Sequence, residues 1–383
     1  MSRLVRVCLA LVAVVLVLAL AQPAARYAHS AALLTRMSGT AGPWVTRAAG
    51  FMATSVTTRS VTIPTRSAPL RGRLYVPGRV RTRPVVLTGG VHAQGIDEPR
   101  LASLARQLAA HGTPVVTPEL PDLVAYRITP ELPNQIEDVL RWITNRRPFD
   151  ADRTGLVGIS FAGGLSVVAA ARPAVRDNVA FTVSLGGHGD LRRVLRYLCT
   201  GTQPDGSFLR PHDYGVVVVL LNVADRMVPP VQVQPLRHAL LTFLRGSHVY
   251  TVDRTRGRQI FADAAQQARD LQEPARTFMG YVNTRNVAAL GQALLPFVNE
   301  LGDDPSLSPE RSPVPPSPVH LLHGSHDVVI PSAESTRLAR SLRARGGRVN
   351  VLLSPLITHA ELNRRPGIRD TWNLVAFWAG LEW

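Results

Sequence analysis

The chain contains no lysine, so all 43 of its strongly basic side chains are arginine. A complete absence of that kind is a property of a whole coding sequence rather than of one binding face. The formal charge of +16 therefore does not by itself mark a site for a polyanion. Aromatic residues are scarce, at 6%, and no helix-turn-helix, finger or RNA-binding signature is present, which removes nucleic acid from the expected partners. Only two cysteines occur, Cys8 and Cys199, which excludes a disulfide scaffold and a cysteine-rich metal site. No two histidines lie on one helical face with a glutamate between them, so no metal is expected either. Charged residues make up only 18% against 45% hydrophobic ones, too apolar a balance for a globally disordered chain.

Long apolar runs are also rare, with one exception. Arg3 and Arg6 precede "VCLALVAVVLVLALA", fifteen apolar residues ending at Ala21. A basic start, an apolar stretch and the small-x-small triplet Ala19-Leu20-Ala21 are the parts of an export signal. The run is short for a spanning helix, which needs about 20 residues, although Leu4 and its neighbours extend it. Two readings stay open, a cleaved signal or an uncleaved anchor through residues 4–21. Both place the body of the protein outside the cytoplasm, periplasmic or otherwise extracytoplasmic. Association with an acidic membrane surface is a further expectation from the arginine clusters at 71–83 and 254–258.

Residues 22–54 read as a stalk or linker, and residue 55 opens the body. "SVTTRSVTIPT" and "LRGRLYVP" alternate β-branched and polar residues and predict a hairpin. Strand and helix patterns then alternate. "PVVLT", "PVVTPEL", "TGLVGI" and "NVAFTVSLGG" are short, nearly continuous apolar strands, separated by helical stretches such as "EPRLASLARQLAAHG" and "PNQIEDVLRWITNR". That rhythm predicts a mostly parallel central sheet with helices on both faces, in the α/β class. It breaks after Gly187. Residues 188–302 read as a helical insertion, a cap over the sheet, and 303–318 ("DDPSLSPERSPVPPSP") as a proline-rich connector. The rhythm returns in 319–383 with "VHLLHG", "SAESTRLARSLRA", "RVNVLLS" and "TWNLVAFWAGLEW". The body is thus one sheet in two parts, 55–187 and 319–383.

The chemistry concentrates where strands end. In "GLVGISFAGGLSVVAAA" a lone serine, Ser160, stands between an apolar strand and an alanine-rich helix. A serine presented on so sharp a turn needs small residues two places before and two places after it, and Gly158 and Ala162 satisfy this. The bland alternative is a serine that merely caps the helix. A serine hydroxyl is a weak nucleophile at neutral pH, and needs a base that is itself held in place. His359, in "SPLITHAEL", follows the last strand. Asp327, in "HGSHDVVIP", follows the strand before it. Asp225, in "VVVVLLNVADRMVPP", and Asp190, in "GGHGDL", are rival acids. His92 and His188 are candidates for lining a pocket.

With Ser160, Asp327 and His359 in that chain order, the sequence from about 55 to 383 resembles the α/β-hydrolase superfamily of serine esterases, lipases and dienelactone-hydrolase-like enzymes. The resemblance implies the α/β-hydrolase fold with a helical cap, and a Ser-His-Asp triad acting through an acyl-enzyme. It implies a small-molecule ester as substrate and no cofactor. It also implies an oxyanion hole of backbone N–H groups, one from Gly90 or Val91 in "GGVHAQG" and the other from Phe161. Thr88 stands where relatives often carry histidine, and Ala162 where they carry glycine. Neither change removes a catalytic group. Two alternatives remain: a catalytically silent binding protein on the same fold, and an acyltransferase using the same three residues. "YLCTG" and "YVNTRNVAAL" in the cap are candidate pocket walls.

Overall fold

The computed structural model describes residues 24–37, 44, 47, 50–144, 146, 152–359 and 367–381. The expected signal or anchor, 1–21, lies outside them. Among the described residues, no helix is long and apolar enough to cross a membrane.

Eight strands form one sheet: β1 (Val56–Ile63), β2 (Leu70–Pro77), β3 (Val85–Thr88), β4 (Val115–Pro118), β5 (Thr154–Ile159), β6 (Val179–Leu185), β7 (Val319–Gly324) and β8 (Val349–Ser354). Their spatial order is β1-β2-β4-β3-β5-β6-β7-β8. The hairpin β1–β2 and the β2–β4 pair are antiparallel, and every other pair is parallel. From β3 the chain steps outward to β4, then returns to the other side of β3 as β5. The strand order therefore reverses between β3 and β5, and in such sheets ligands bind outside the carboxyl ends of the strands at that reversal.

Alternation along each strand sends neighbouring side chains to opposite faces. Val86 and Leu156 join a core with α3 (Glu131–Thr144) and α4 (Phe161–Ala170). Val85, Leu87 and Val157 join one with α2 (Pro99–Ala110) and α12 (Ile368–Ala379). The helix α11 (Ala333–Ala344) packs beside α4 through Leu338 and Leu342. Both faces are covered, which is why the central strands contain almost no polar residue. The architecture is the α/β-hydrolase fold that the motifs imply.

The expected stalk or linker, 22–54, includes a helix. Residues 24–37 form a helix, α1, seated on the body by buried Leu33 and Leu34. His29 Nε2 lies 2.7 Å from the His111 carbonyl, Arg26 donates to the Leu381 carbonyl at 2.6 Å, and Tyr27 stacks on Trp372. The alanine-rich composition hid an apolar stripe that a neighbouring helix pair covers.

Between β6 and β7 stand six helices: α5 (Leu191–Thr200), α6 (Asp213–Met227), α7 (Pro230–Val252), α8 (Arg254–Arg269), α9 (Ala275–Asn283) and α10 (Val287–Leu301). In α5, Leu191, Val194, Leu195 and Leu198 are buried, the spacing of one helical face. The run Val216–Val219 has strand-like composition yet lies inside α6, because burial of the helix outweighs a weak β preference. The proline-rich connector is no passive tether. It makes two short 3-10 turns, its Leu307 carbonyl receives the His188 ring, and Ser308 accepts the Leu191 N–H that opens α5.

Candidate active site

Ser160 directly follows β5 and occupies the cap position of α4, with φ 57° and ψ −134°. For a residue with a side chain this backbone state costs about 1–3 kcal/mol, and it persists only where the surroundings enforce it. The enforcement is visible at Gly158, where an added Cβ would stand 2.3 Å from the Ala162 carbonyl oxygen. The Ser160 side chain makes no capping bond to the helix it precedes. Its Oγ instead lies 2.9 Å from His359 Nε2. The capping alternative thus fails on geometry.

His359 Nδ1 lies 2.7 Å from Asp327 Oδ2. An ionised carboxylate can only accept, so Nδ1 carries the proton and donates it, and Nε2 of a neutral ring accepts from the Ser160 hydroxyl. Asp327 is fully buried, whereas the His359 ring is 26% exposed. The other oxygen of Asp327 accepts the N–H groups of Val329 at 2.8 Å and Ile330 at 3.0 Å. Burial by itself would raise the Asp327 pKa. The hydrogen bonds from His359 and His323 outweigh that, as does the attraction of either imidazole once protonated, and they hold the carboxyl well below the usual carboxylate range.

His323 is a partner that sequence reasoning missed. It lies at the end of β7. Its Nε2 donates to the Ile330 carbonyl at 2.8 Å and stands 3.3 Å from Asp327 Oδ2, while Nδ1 receives the Ser335 hydroxyl at 2.7 Å. A strand-end histidine four residues before the acid was the available signal. His326 is exposed.

The loop after β3 runs beside the serine. A Cβ on Gly90 would meet Ser160 Cβ at 3.0 Å, so only glycine lets the loop pass this close. Among the described residues, the N–H groups of Gly90, Val91 and Phe161 find no protein acceptor. Thr88 is buried, with its hydroxyl 3.2 Å from Ser166 Oγ. It points into the core between β3 and α4 and away from the loop. His92 stacks on His248 of α7, with ring centroids 4.0 Å apart, and so joins the loop to the insertion. His188 is fully buried against Gly164 and the Leu307 carbonyl, and lines no opening.

The rival acids lie elsewhere. Asp225 is on α6, 58% exposed, 3.6 Å from Arg237. Asp190 caps α5 by accepting the Arg193 N–H at 2.9 Å.

Next to Ser160 and the β3 loop lies an apolar cleft of about 550 Å³, open mouth included. Val91, Phe161 and Val329 form its inner wall, and Leu195, Leu198 and Val219 of the insertion its roof. Leu198 belongs to the "YLCTG" stretch. No residue of "YVNTRNVAAL" lines the cleft; α9 and α10 pack against each other and on α5, α6 and α7. Polar groups in the wall are few. Tyr214 donates its hydroxyl to the Val91 carbonyl at 3.1 Å, and Asn222 donates to the Tyr126 and Val218 carbonyls, both at 2.8 Å.

No family model matches the chain, and no curated protein matches it. Many solved structures do. The chain is similar to the acylaminoacyl peptidase of Pyrococcus horikoshii, with 13% identity and a TM-score of 0.46 over 85% of this chain and 40% of that one. It thus spans about two fifths of the peptidase. It is similar to an esterase of Pyrobaculum calidifontis, at 17% identity and a TM-score of 0.46, covering 86% of this chain and 88% of that one. For the carboxylesterase EstE1, cloned from a metagenomic library, the values are 17% identity and 0.47, over 90% and 99%.

Proposed function

We propose that this protein is a serine hydrolase that cleaves carboxylic esters with an apolar acyl group by way of an acyl-enzyme. The observation that carries the reading is the unbroken relay from the Ser160 hydroxyl through the His359 ring to the buried Asp327 carboxylate, at 2.9 and 2.7 Å, from a serine that caps nothing.

In this reading Ser160 Oγ attacks the ester carbonyl carbon while His359 Nε2 takes its proton. Asp327 keeps the ring in the required tautomer and stabilises its charged form. The carbonyl oxygen gains negative charge and is met by the N–H of Phe161 and that of Gly90 or Val91. As the tetrahedral intermediate collapses, His359 returns the proton to the leaving alcohol oxygen, leaving an acyl-Ser160 ester. Water then gives a proton to His359 and its oxygen attacks the acyl carbon. The second collapse releases the carboxylic acid and restores the Ser160 hydroxyl. Nothing beyond these side chains and backbone dipoles is needed. The apolar cleft beside the serine supports an alkyl or aryl acyl group over a sugar, which would leave its hydroxyls without partners there.

The test pairs a fluorophosphonate probe with a series of nitrophenyl esters of rising acyl length. Labelling of the wild type, lost in Ser160→Ala, together with ester turnover, is the expected result. A folded wild type that neither labels nor turns over any ester would instead support the silent binding protein. Product analysis with an added alcohol would identify the acyltransferase. The reading extends to export through residues 1–21, and N-terminal sequencing of secreted protein would test cleavage before Gln22.

A further inference from the structure

The insertion does more than roof the cleft. Two of its helices press on the loop that carries Gly90 and Val91. From α6, the Tyr214 hydroxyl donates to the Val91 carbonyl at 3.1 Å, across 123 residues of chain. From α7, His248 stacks on His92, and its ring centroid is 5.2 Å from that of Tyr214. Tyr126 completes the cluster at 6.3 Å from Tyr214. Beyond Val91 the loop is already fixed by its own turn, since Gln94 N–H donates to His92 Nδ1 and Gly95 N–H to the His92 carbonyl. On its other side Gly90 lies against Ser160. Between these anchors, the Val91 peptide is held by Tyr214.

We infer that Tyr214 is a positioning residue of the reaction: by holding the Val91 carbonyl it fixes the backbone that aims the Gly90 or Val91 N–H at the developing oxyanion, making the cap part of the catalytic apparatus. This rests on the hydrolase reading above. Preorganised donors are effective only if they need not reorient as charge develops, so slack in the loop weakens the transition state more than the ground state. Tyr214 also lines the cleft with its ring. Ring and hydroxyl therefore have separable roles. The ring shapes the acyl site, and the hydroxyl holds the loop.

Tyr214→Phe separates the two, since it keeps the ring and removes one oxygen. For the best nitrophenyl ester we expect kcat to fall about tenfold, less than the 10²–10³-fold typical of deleting a donor itself, with KM within about twofold. An alkylboronic acid, which adds to a serine oxygen as a tetrahedral anion, should bind about tenfold more weakly, while the product carboxylic acid binds as before. Tyr197→Phe is the second variant. It removes a cap hydroxyl bonded to the Val328 carbonyl at 3.1 Å, on the acid loop, and leaves the Val91 loop untouched. The ratio of boronate to carboxylate affinity should hold in Tyr197→Phe and drop in Tyr214→Phe. Unchanged kcat and boronate affinity in Tyr214→Phe would overturn the inference, and so would an equal drop in both variants, which would report a loosened cap. Fluorophosphonate labelling keeps the two readings apart. A labelled wild type with an indifferent Tyr214→Phe removes the inference alone, and an unlabelled wild type removes the hydrolase reading and the inference with it.

Discussion

The sheet and the insertion above it solve the same packing problem with different materials. In the sheet, four to eight residues per strand are enough, because both faces are covered and the hydrogen-bond ladder fixes register. Reactive side chains are then placed by where strands stop. Ser160 follows β5, the Gly90 loop follows β3, Asp327 follows β7 and His359 follows β8. The insertion has no ladder. Its six helices hold together by apolar stripes, and its contacts with the Gly90 loop are single ones: Tyr214 on Val91 and His248 on His92. On the hydrolase reading, the atoms that would react sit on the layer tied by the hydrogen-bond ladder, and the helical layer shapes what reaches them.

If that division is right, damage to the sheet side should be far larger than damage to the insertion. Asp327→Asn changes one atom type and leaves the outline of the buried side chain. It should cut kcat for an ester by about 10⁴-fold, because His359 would be held in the wrong tautomer. A loss of tenfold or less would mean that His323 or solvent can orient the ring without the carboxylate. In the insertion, Val219→Phe narrows the cleft from its roof. The preference among nitrophenyl esters should shift to shorter acyl chains, by about tenfold per step at the limit, with little change for acetate. An unaltered profile would place the acyl group outside this cleft.

The smallest effect concerns the seam between the two layers. The His248 imidazole is pushed down to about 3, first by burial and then by His92 and Arg100. Burial lowers His92 as well, with Arg100 acting in the same direction and Glu98 opposing. An ordinary histidine titrates near 6.5. Between that value and 3, the unfolded chain binds a proton that the folded seam refuses. The seam's stability is therefore complete above pH 6.5 and falls as the pH drops, by at most about 1.4 kcal/mol per pH unit for each such histidine. Thermal melts at pH 7 and pH 5 should show a larger loss in the wild type than in His248→Phe. Parallel losses would mean that the acid sensitivity arises elsewhere, for instance at buried His111, whose imidazole burial pushes down to about 4.

Much of the sheet could be read from sequence because its signals are local. "TGLVGI" before Ser160, "VHLLHG" before Asp327 and "RVNVLLS" before His359 each announce a strand end within a few residues. The bonds that join the three side chains are long-range: 199 residues separate Ser160 from His359. Strand order supplies that information, and the order of motifs along the chain stood in for it. No such proxy exists for the cleft. A tyrosine at the second residue of α6 carries no motif, and its partner is a backbone carbonyl, which leaves no trace in residue type. The alanine-rich stretch within 22–54 does not say by itself whether its helix, 24–37, stands free or is buried. Alanine-rich helices look alike whether they stand free or are buried, and only the helices Pro99–Ala110 and Ile368–Ala379 show what Leu33 and Leu34 are for. The run Val216–Val219 shows the converse, a stretch resembling a strand that its neighbours hold as helix.

One consequence follows from the order of the strands. The serine leaves the sheet at β5, with the Gly90 loop following the adjacent β3, whereas the histidine leaves at the outer strand, β8, three positions away. At about 4.8 Å per strand the imidazole has to be carried back some 14 Å over the sheet edge to meet its hydroxyl. Half of the site is thus a neighbour by birth, and half is brought in by the five residues after β8, which pack closely on the end of β7 at Gly324.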